Sequence, residues 1–282
     1  MFDQIYNGPP QARWANSDSF SIVLRQLMDD FAGKELAFEQ IPHLRYFTGE
    51  NLRFRLVNWS VPESDGNSSY RGVLQVWNEN KQNYICYTLN DISAYQPYPE
   101  NVLYTPDNWW GALYYDCIEH KIGDRIYYTL LGLNTSVATY QQKVIDVFQI
   151  KKNGEVEFGA SIFSSAPKYS DSKSSSNLKR IIFRFSRKTD MILRYDYQTY
   201  ITQKGKKKIE VKDQMIVFDY LIPPAIHLLE ECTYYVPSGG LYNAYVFMDD
   251  HWELQTEIIA RNPNPKIPQK KKSTKPILYK PL

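Results

Sequence analysis

The chain has 282 residues, of which 15% are aromatic, and 23 of these aromatic residues are tyrosines. Aromatic and β-branched side chains suit the half-buried faces of sheets, so the composition predicts a β-rich protein. The net charge of +2 hides an asymmetry, because residues 263–282 contain six lysines and no acid, and the rest of the chain has 27 basic and 31 acidic residues. A body with a net charge of −4 has no broad positive surface, so we expect no specific binding of nucleic acid.

The N-terminal region contains the clearest helical pattern. Residues 1–16 include a Gly-Pro-Pro break and predict an irregular arm. From Ser17 onward, apolar residues recur at spacings of three and four, which predicts a helix near residues 17–32. Ser17 or Ser19 can cap the start of this helix and Gly33 can end it.

The rest of the chain is dominated by alternating apolar and polar residues. Short polar turns separate these runs, and Asn153-Gly154 is the strongest hairpin signal. The pattern predicts a mainly β protein, a large antiparallel meander or sandwich with one N-terminal helix; a propeller-like or partly closed barrel is the alternative. We expect a single β-rich domain over residues 17–262. The basic, Pro- and Lys-rich residues 263–282 predict a flexible tail.

The order of several motifs resembles an uncharacterised family of exported proteins of the Bacteroidota. The stretches that carry this resemblance include FRLVNW (54–59), YRGVLQV (70–76), WWGALYY (109–115), KVIDVFQIKKNGEVEFGASIF (143–163) and WELQTEIIARNP (252–263). The resemblance implies a periplasmic, outer-membrane-associated or secreted protein, and it implies no activity. The start of the chain, MFDQ, lacks the pattern of a signal peptide, and no run of 18 apolar residues predicts a transmembrane segment.

Cysteine and histidine patterns give no sign of a metal or cofactor site. Cys86, Cys117 and Cys232 are too few for a disulfide framework and are expected to be structural, although whether any two form a disulfide stays open. The four histidines lie far apart, without metal-binding spacing. We therefore predict no metal site, and the absence of phosphate-binding or dinucleotide motifs predicts no cofactor.

The segment DNWWGALYYDCIEH (107–120) is the most crowded with chemically active side chains. Alternation along a strand would place Cys117 in an apolar row facing the core, which argues against a nucleophile. The opposite row mixes aromatic and acidic side chains, and these are the candidate ligand-binding residues: Trp110, Tyr114 and Asp116. Such a row can pack in a core or present a surface platform on which a sugar stacks.

Two acidic residues interrupt apolar strands and are the weak candidates for catalysis. Asp146 lies in KVIDVF and Asp219 lies in IVFDYL. A carboxylate at such a position must be solvated, hydrogen-bonded or paired, because an isolated buried charge is costly. Each is therefore either a satisfied structural residue or an acid or base with a perturbed pKa.

Three functions are compatible with these patterns. The leading hypothesis is a non-catalytic exported β domain that binds a protein or a cell-envelope component. The second is a carbohydrate-binding module that uses surface aromatics. The third is a hydrolase in which a strand carboxylate acts as acid or base. The sequence leaves the ligand and the oligomeric state open.

Overall fold

The computed structural model describes residues 1–36, 38, 41–168, 177–204, 207–225 and 232–258. The predicted flexible tail, residues 263–282, lies outside these ranges. Among the described residues, no helix is both long and apolar enough to cross a membrane.

Two helices begin the chain. The short helix α1 (Asp3–Asn7) is followed by the long helix α2 (Pro10–Asp30). The predicted helix is present, but it starts earlier than Ser17, and the prediction of an irregular arm over residues 1–16 is wrong. The reason lies in the Gly-Pro-Pro break: Pro10 occupies the first turn of α2, where a missing N–H and a fixed φ favour helix initiation.

The described strands form three open antiparallel sheets in chain order, and none closes into a barrel. The first sheet contains β1 (Arg45–Thr48), β2 (Phe54–Pro62), β3 (Ser68–Asn78) and β4 (Asn83–Asn90). The middle sheet contains β5 (Leu113–Ile122), β6 (Arg125–Asn134), β7 (Tyr140–Ile150), β8 (Val156–Phe158) and β9 (Ile181–Ser186). The third sheet contains β10 (Leu193–Lys204), β11 (Lys207–Ile222), β12 (Val236–Met248) and β13 (His251–Ile258). The predicted mainly β, antiparallel fold with an N-terminal helix is confirmed.

The sheets stack as layers, with α2 on the outer side of the first sheet. Helix α2 and the first sheet enclose one apolar core, which includes Leu24, Met28, Val57 and Trp59. The first and middle sheets enclose a second core, which includes Phe54, Leu74, Tyr114 and Phe148. The middle and third sheets enclose another core, which includes Ile145, Val147, Phe218 and Trp252. Because the middle sheet is buried on both faces, β7 is apolar at successive positions rather than alternate ones.

Arg55 of β2 joins the helix to the first sheet. Its guanidinium is fully buried and donates hydrogen bonds to the carbonyl oxygens of Met28 (2.6 Å), Phe31 (3.0 Å) and Lys34 (2.9 Å). It also donates to the side-chain oxygen of Gln75 at 3.0 Å. The last carbonyls of a helix lack intrahelical donors, and a positive charge there is favourable to the helix dipole.

Replacement of Arg55 by methionine is expected to destabilise the protein by about 3 kcal/mol, because buried carbonyls lose their charged donor. The measurement is urea-induced unfolding. Arg55→Lys should recover little of the lost stability, because a single ammonium group cannot donate to all of these acceptors at once. The control is Arg25→Met, an exposed position on α2 that should change stability by less than about 1 kcal/mol. Equal loss in both methionine variants would contradict the capping role.

His120 of β5 lies in the contact between the middle and third sheets. Its ring stacks on Phe247 with centroids 4.0 Å apart and meets the edge of Trp252 at 4.7 Å. Its Nε2 atom is buried and has no hydrogen-bond partner among the described residues. Burial lowers the pKa of His120 to about 4.

This shift predicts a loss of stability at mildly acidic pH. Above about pH 6.5 the imidazole is neutral in both folded and unfolded chains. As the pH falls from about 6.5 to about 4, the unfolded chain gains a proton that the folded chain does not, so His120 removes stability on the order of 3 kcal/mol. The free energy of unfolding measured across this range should fall less steeply in His120→Phe than in the parent protein. The control His251→Gln should keep the parent's loss, and an unchanged slope in His120→Phe would refute the assignment.

Candidate functional site

A cleft opens where the hairpin ends of the first and middle sheets meet. It consists of two neighbouring cavities of about 410 and 570 Å³, which share Arg53 and Ile126. We call the whole the hairpin cleft. The smaller cavity, the aromatic end, is lined by Glu50, Asn51, Arg53, Trp77, Tyr84, Glu119 and Ile126. The larger cavity, the basic end, is lined by Arg53, Glu79, Asp124, Arg125, Ile126, Gln149, Ile150, Lys151, Lys152 and Glu157.

Two aromatic rings dominate the aromatic end. Trp77 of β3 and Tyr84 of β4 are directly opposite each other in the strand register, so their side chains share one face. Their ring centroids lie 5.0 Å apart with planes at 64°. Both side chains are partly exposed. Rigid strands therefore hold an aromatic pair at the cleft wall.

Carboxylates complete the aromatic end from two different sheets. Glu119 projects from β5 of the middle sheet, and one of its oxygens accepts a hydrogen bond from the backbone N–H of Glu50 at 3.4 Å. Glu50 lies in the connection between β1 and β2. Within the described part of the chain, neither carboxylate forms an ion pair. Both are exposed and available to a ligand.

The hydroxyl of Tyr128 lies close to these charges. The Tyr128 side chain is 1% exposed, and its hydroxyl has no hydrogen-bond partner among the described residues. Burial raises the pKa of this phenol, and the negative charge of Glu119 raises it further. A Cβ atom placed on Gly49, next to Glu50, would lie 3.2 Å from the hydroxyl. Tyr128 does not itself line the cavity, but it lies directly opposite Glu119 in the pairing of β5 with β6, so a neutral phenol with unused hydrogen-bonding capacity lies beside the aromatic end.

The backbone beside the aromatic end is strained. Asn51 and Leu52 have φ of 53° and 55°, in the left-handed region that non-glycine residues rarely occupy. Each such residue typically costs about 1–3 kcal/mol and persists only where the surroundings impose it. Asn51 lines the aromatic end. Strain of this kind clusters at ligand-binding sites.

The basic end has a different charge. Arg53 forms an ion pair with Glu79, and Lys151 pairs with Glu157 at 2.7 Å. Across the described ranges, Arg125 and Lys152 form no ion pair. Two cations thus remain at this end, with Asp124 beside them. The cleft is polarised, with excess negative charge at the aromatic end and excess positive charge at the basic end.

The structure does not support the predicted aromatic platform at Trp110 and Tyr114. Trp110 is 1% exposed and Tyr114 is fully buried in the core between the first and middle sheets. The Trp110 indole N–H donates to the carbonyl oxygen of Gln96 at 3.3 Å. Strand β5 begins only at Leu113, so the tryptophans precede it and fold into the core. Neither ring has a free face for a sugar.

Asp116 is separated from Tyr114 by a bulge. The pairing of β5 with β6 shifts between Tyr114 and Asp116, which leaves Tyr115 as the extra residue. The predicted alternation therefore fails here, and Tyr114 and Asp116 lie on opposite sides of the sheet. Burial raises the pKa of Asp116, while hydrogen bonds from the backbone of Cys117 and Tyr195 lower it.

Asp146 is the centre of a buried polar network. Its carboxylate forms an ion pair with Arg180 at 3.0 Å, and both side chains are fully buried. The Tyr114 hydroxyl donates to the other oxygen at 2.9 Å and itself accepts from the indole N–H of Trp109 at 3.0 Å. The backbone N–H of Val147 also donates a hydrogen bond to the Asp146 carboxylate. Every polar group in this network has a partner, which favours the structural interpretation of Asp146.

Asp219 has a similar role in the third sheet. It is 6% exposed, and its carboxylate accepts a hydrogen bond from the backbone N–H of Ile192 at 2.6 Å. Burial raises its pKa, and the positive charges of Lys143 and Arg194 lower it. Asp146 and Asp219 belong to different sheets, and neither lines the hairpin cleft.

The sequence patterns did not predict the residues of the hairpin cleft as a binding site. Trp77 and Tyr84 lie at either side of the turn that joins β3 to β4, in WNENKQNY. An aromatic pair flanking a polar turn is a signal for a cross-strand contact near a hairpin tip. Glu119 and Arg53 carry no such signal, because the packing of the two sheets brings them together.

Comparison of the chain with protein-family models, with curated proteins and with solved structures finds no match. Among the described residues, no group of three or more His, Cys, Asp or Glu side chains is placed to hold a metal ion. The geometry of the hairpin cleft is therefore the basis for assigning a function.

The network around Asp146 predicts a large effect on stability. Asp146→Asn leaves the charge of Arg180 buried without its counter-ion, and the free energy of unfolding should fall by about 3–5 kcal/mol. Guanidinium-induced unfolding measures the change. Asp124→Asn, at an exposed turn, is the control and should stay within about 0.5 kcal/mol of the parent. Equal losses in Asp146→Asn and Asp124→Asn would contradict the role of the uncompensated charge.

Proposed function

We propose that the protein is a non-catalytic binding domain of the cell envelope and that it holds a glycan in the hairpin cleft. The observation that carries the proposal is the partly exposed pair of Trp77 and Tyr84 inside an open cleft that also contains carboxylates. Aromatic faces stack on the apolar faces of sugar rings. Carboxylates accept hydrogen bonds from sugar hydroxyls, and guanidinium groups donate hydrogen bonds to them. The resemblance to exported proteins of the Bacteroidota supports an envelope location.

The dimensions and the rigidity of the cleft suit this role. Both cavities fall within the range of about 300–1,000 Å³ that is usual for small-molecule sites. The aromatic pair stands on neighbouring strands, and strands position ligand contacts better than loops do. The positions of the buried carboxylates also favour binding over hydrolysis, because Asp146 is neutralised by Arg180 inside the core.

A second candidate, binding of a protein partner, is favoured by a different surface. The segment between the first and middle sheets exposes large apolar side chains at Tyr95 (83%), Tyr98 (66%), Val102 (39%) and Leu103 (49%). Neighbouring exposed apolar groups commonly mark an interaction site. This surface lies outside the hairpin cleft, so the two candidate functions can be separated by substitution.

Substitution of Trp77 tests the proposed function. Trp77→Ala should weaken binding of oligosaccharides released from the native envelope by about three- to tenfold, since an aromatic contact is worth about 0.5–1.5 kcal/mol. Titration calorimetry against fractionated oligosaccharides measures the affinity. Trp14→Ala, which removes a partly buried tryptophan from α2, is the matched control and should bind like the parent. The proposal fails if the parent binds no envelope glycan or if the Trp77 variant binds as well as the parent; capture of a protein that depends on Tyr95 and Tyr98 instead would favour the second candidate.

A further inference from the structure

The charges of the aromatic end favour a cationic group on the ligand. Arg53 is the positive residue that lines this end, and it is already neutralised by its ion pair with Glu79. Glu50 and Glu119 belong to no ion pair within the described residues. Two unpaired carboxylates that line one cavity favour a bound cation, whose positive charge offsets theirs.

The aromatic pair adds a second, independent attraction. Trp77 and Tyr84 present ring faces and edges in the same cavity, at planes 64° apart. The face of an indole or phenol ring attracts a cation through the ring quadrupole, most strongly when the cation is partly desolvated. Carboxylates combined with aromatic faces are the usual surroundings of bound ammonium groups.

Tyr128 supplies an independent indication of a missing ligand contact. Its side chain is 1% exposed, and its hydroxyl has no partner among the described residues, although buried polar groups are normally hydrogen-bonded. Tyr128 is paired directly with Glu119 in the register of β5 and β6, and a Cβ atom on Gly49, the residue before Glu50, would lie 3.2 Å from its hydroxyl. The phenol oxygen can accept a hydrogen bond from an ammonium N–H, and the phenol can donate to a sugar hydroxyl.

We propose that the aromatic end binds the positively charged free amino group of an amino sugar, held between Glu50 and Glu119 and against Trp77 and Tyr84. This inference rests on the proposed glycan-binding function and names the class of glycan. The cations at the basic end, Arg125 and Lys152, face the part of the ligand that extends along the cleft and complement a carboxylate or phosphate there.

Two oligosaccharides that differ only at the amino group test the proposal. The first is a short glucosamine oligomer with free amines, and the second is the same oligomer with every amine acetylated. The parent protein, titrated near pH 6 in a calorimeter, should bind the free amine at least about tenfold more tightly than the acetylated form. In Glu119→Gln this preference should fall by at least about fivefold.

The control separates a specific contact from general charge attraction. Glu35→Gln removes one negative charge at an exposed position outside the cleft, so it changes the net charge by the same amount as Glu119→Gln. It should keep the parent's preference for the free amine. Equal loss in both variants, or equal affinity of the parent for the two oligomers, would overturn the amine inference. Binding of the acetylated oligomer alone would also overturn it while leaving glycan binding in place. Failure of the parent to bind either oligomer would overturn the amine inference, whereas the proposed function is decided separately by the envelope oligosaccharides and Trp77→Ala.

Discussion

The buried ion pair between Asp146 and Arg180 is the interaction on which the middle of the structure depends. Both side chains are fully withdrawn from water, and removing each ion from water costs several kcal/mol. The cost is offset because the guanidinium also donates to the carbonyl oxygens of Pro99, Val102 and Phe158. One charged pair therefore fixes β7, the end of β8, the start of β9 and the segment that crosses from the first sheet to the middle sheet.

Such polar anchors give the stack a definite geometry. Apolar contacts between sheets are non-directional, so hydrophobic cores alone would tolerate sliding of one layer over the next. Asp91 acts as a further anchor: its carboxylate accepts hydrogen bonds from the backbone N–H groups of Tyr70, Ser93 and Gly111 at 2.8–3.0 Å. A Cβ atom on Gly111 would lie 2.4 Å from this carboxylate, so glycine is required there. With the layers fixed in this way, the hairpin ends that form the cleft keep a constant separation.

The sequence predicted the class of fold well and the site poorly, for identifiable reasons. The hairpins and the helix could be predicted because their apolar periodicity involves residues close in sequence and does not depend on how the elements pack together. The bulge at Tyr115 is invisible in that periodicity, and it moved Tyr114 and Asp116 to opposite faces. The cleft depends on contacts between sheets, such as that of Glu119 with the backbone of Glu50 across 69 positions. Non-local contacts of this kind leave no pattern within a single strand.

The order of the sheets along the chain has a consequence for how the protein assembles during synthesis. Apart from β9, which pairs with β7, the described strands pair with their neighbours in sequence, so α2 and the first sheet are complete in the first 90 residues. The middle sheet differs, because Asp146 meets its counter-ion only when residue 180 has been made, 34 positions later. Until then the carboxylate favours water over the core, which delays closure of the second layer against the first. The same charge that fixes the finished stack therefore opposes closure of the second layer against the first before Arg180 is available.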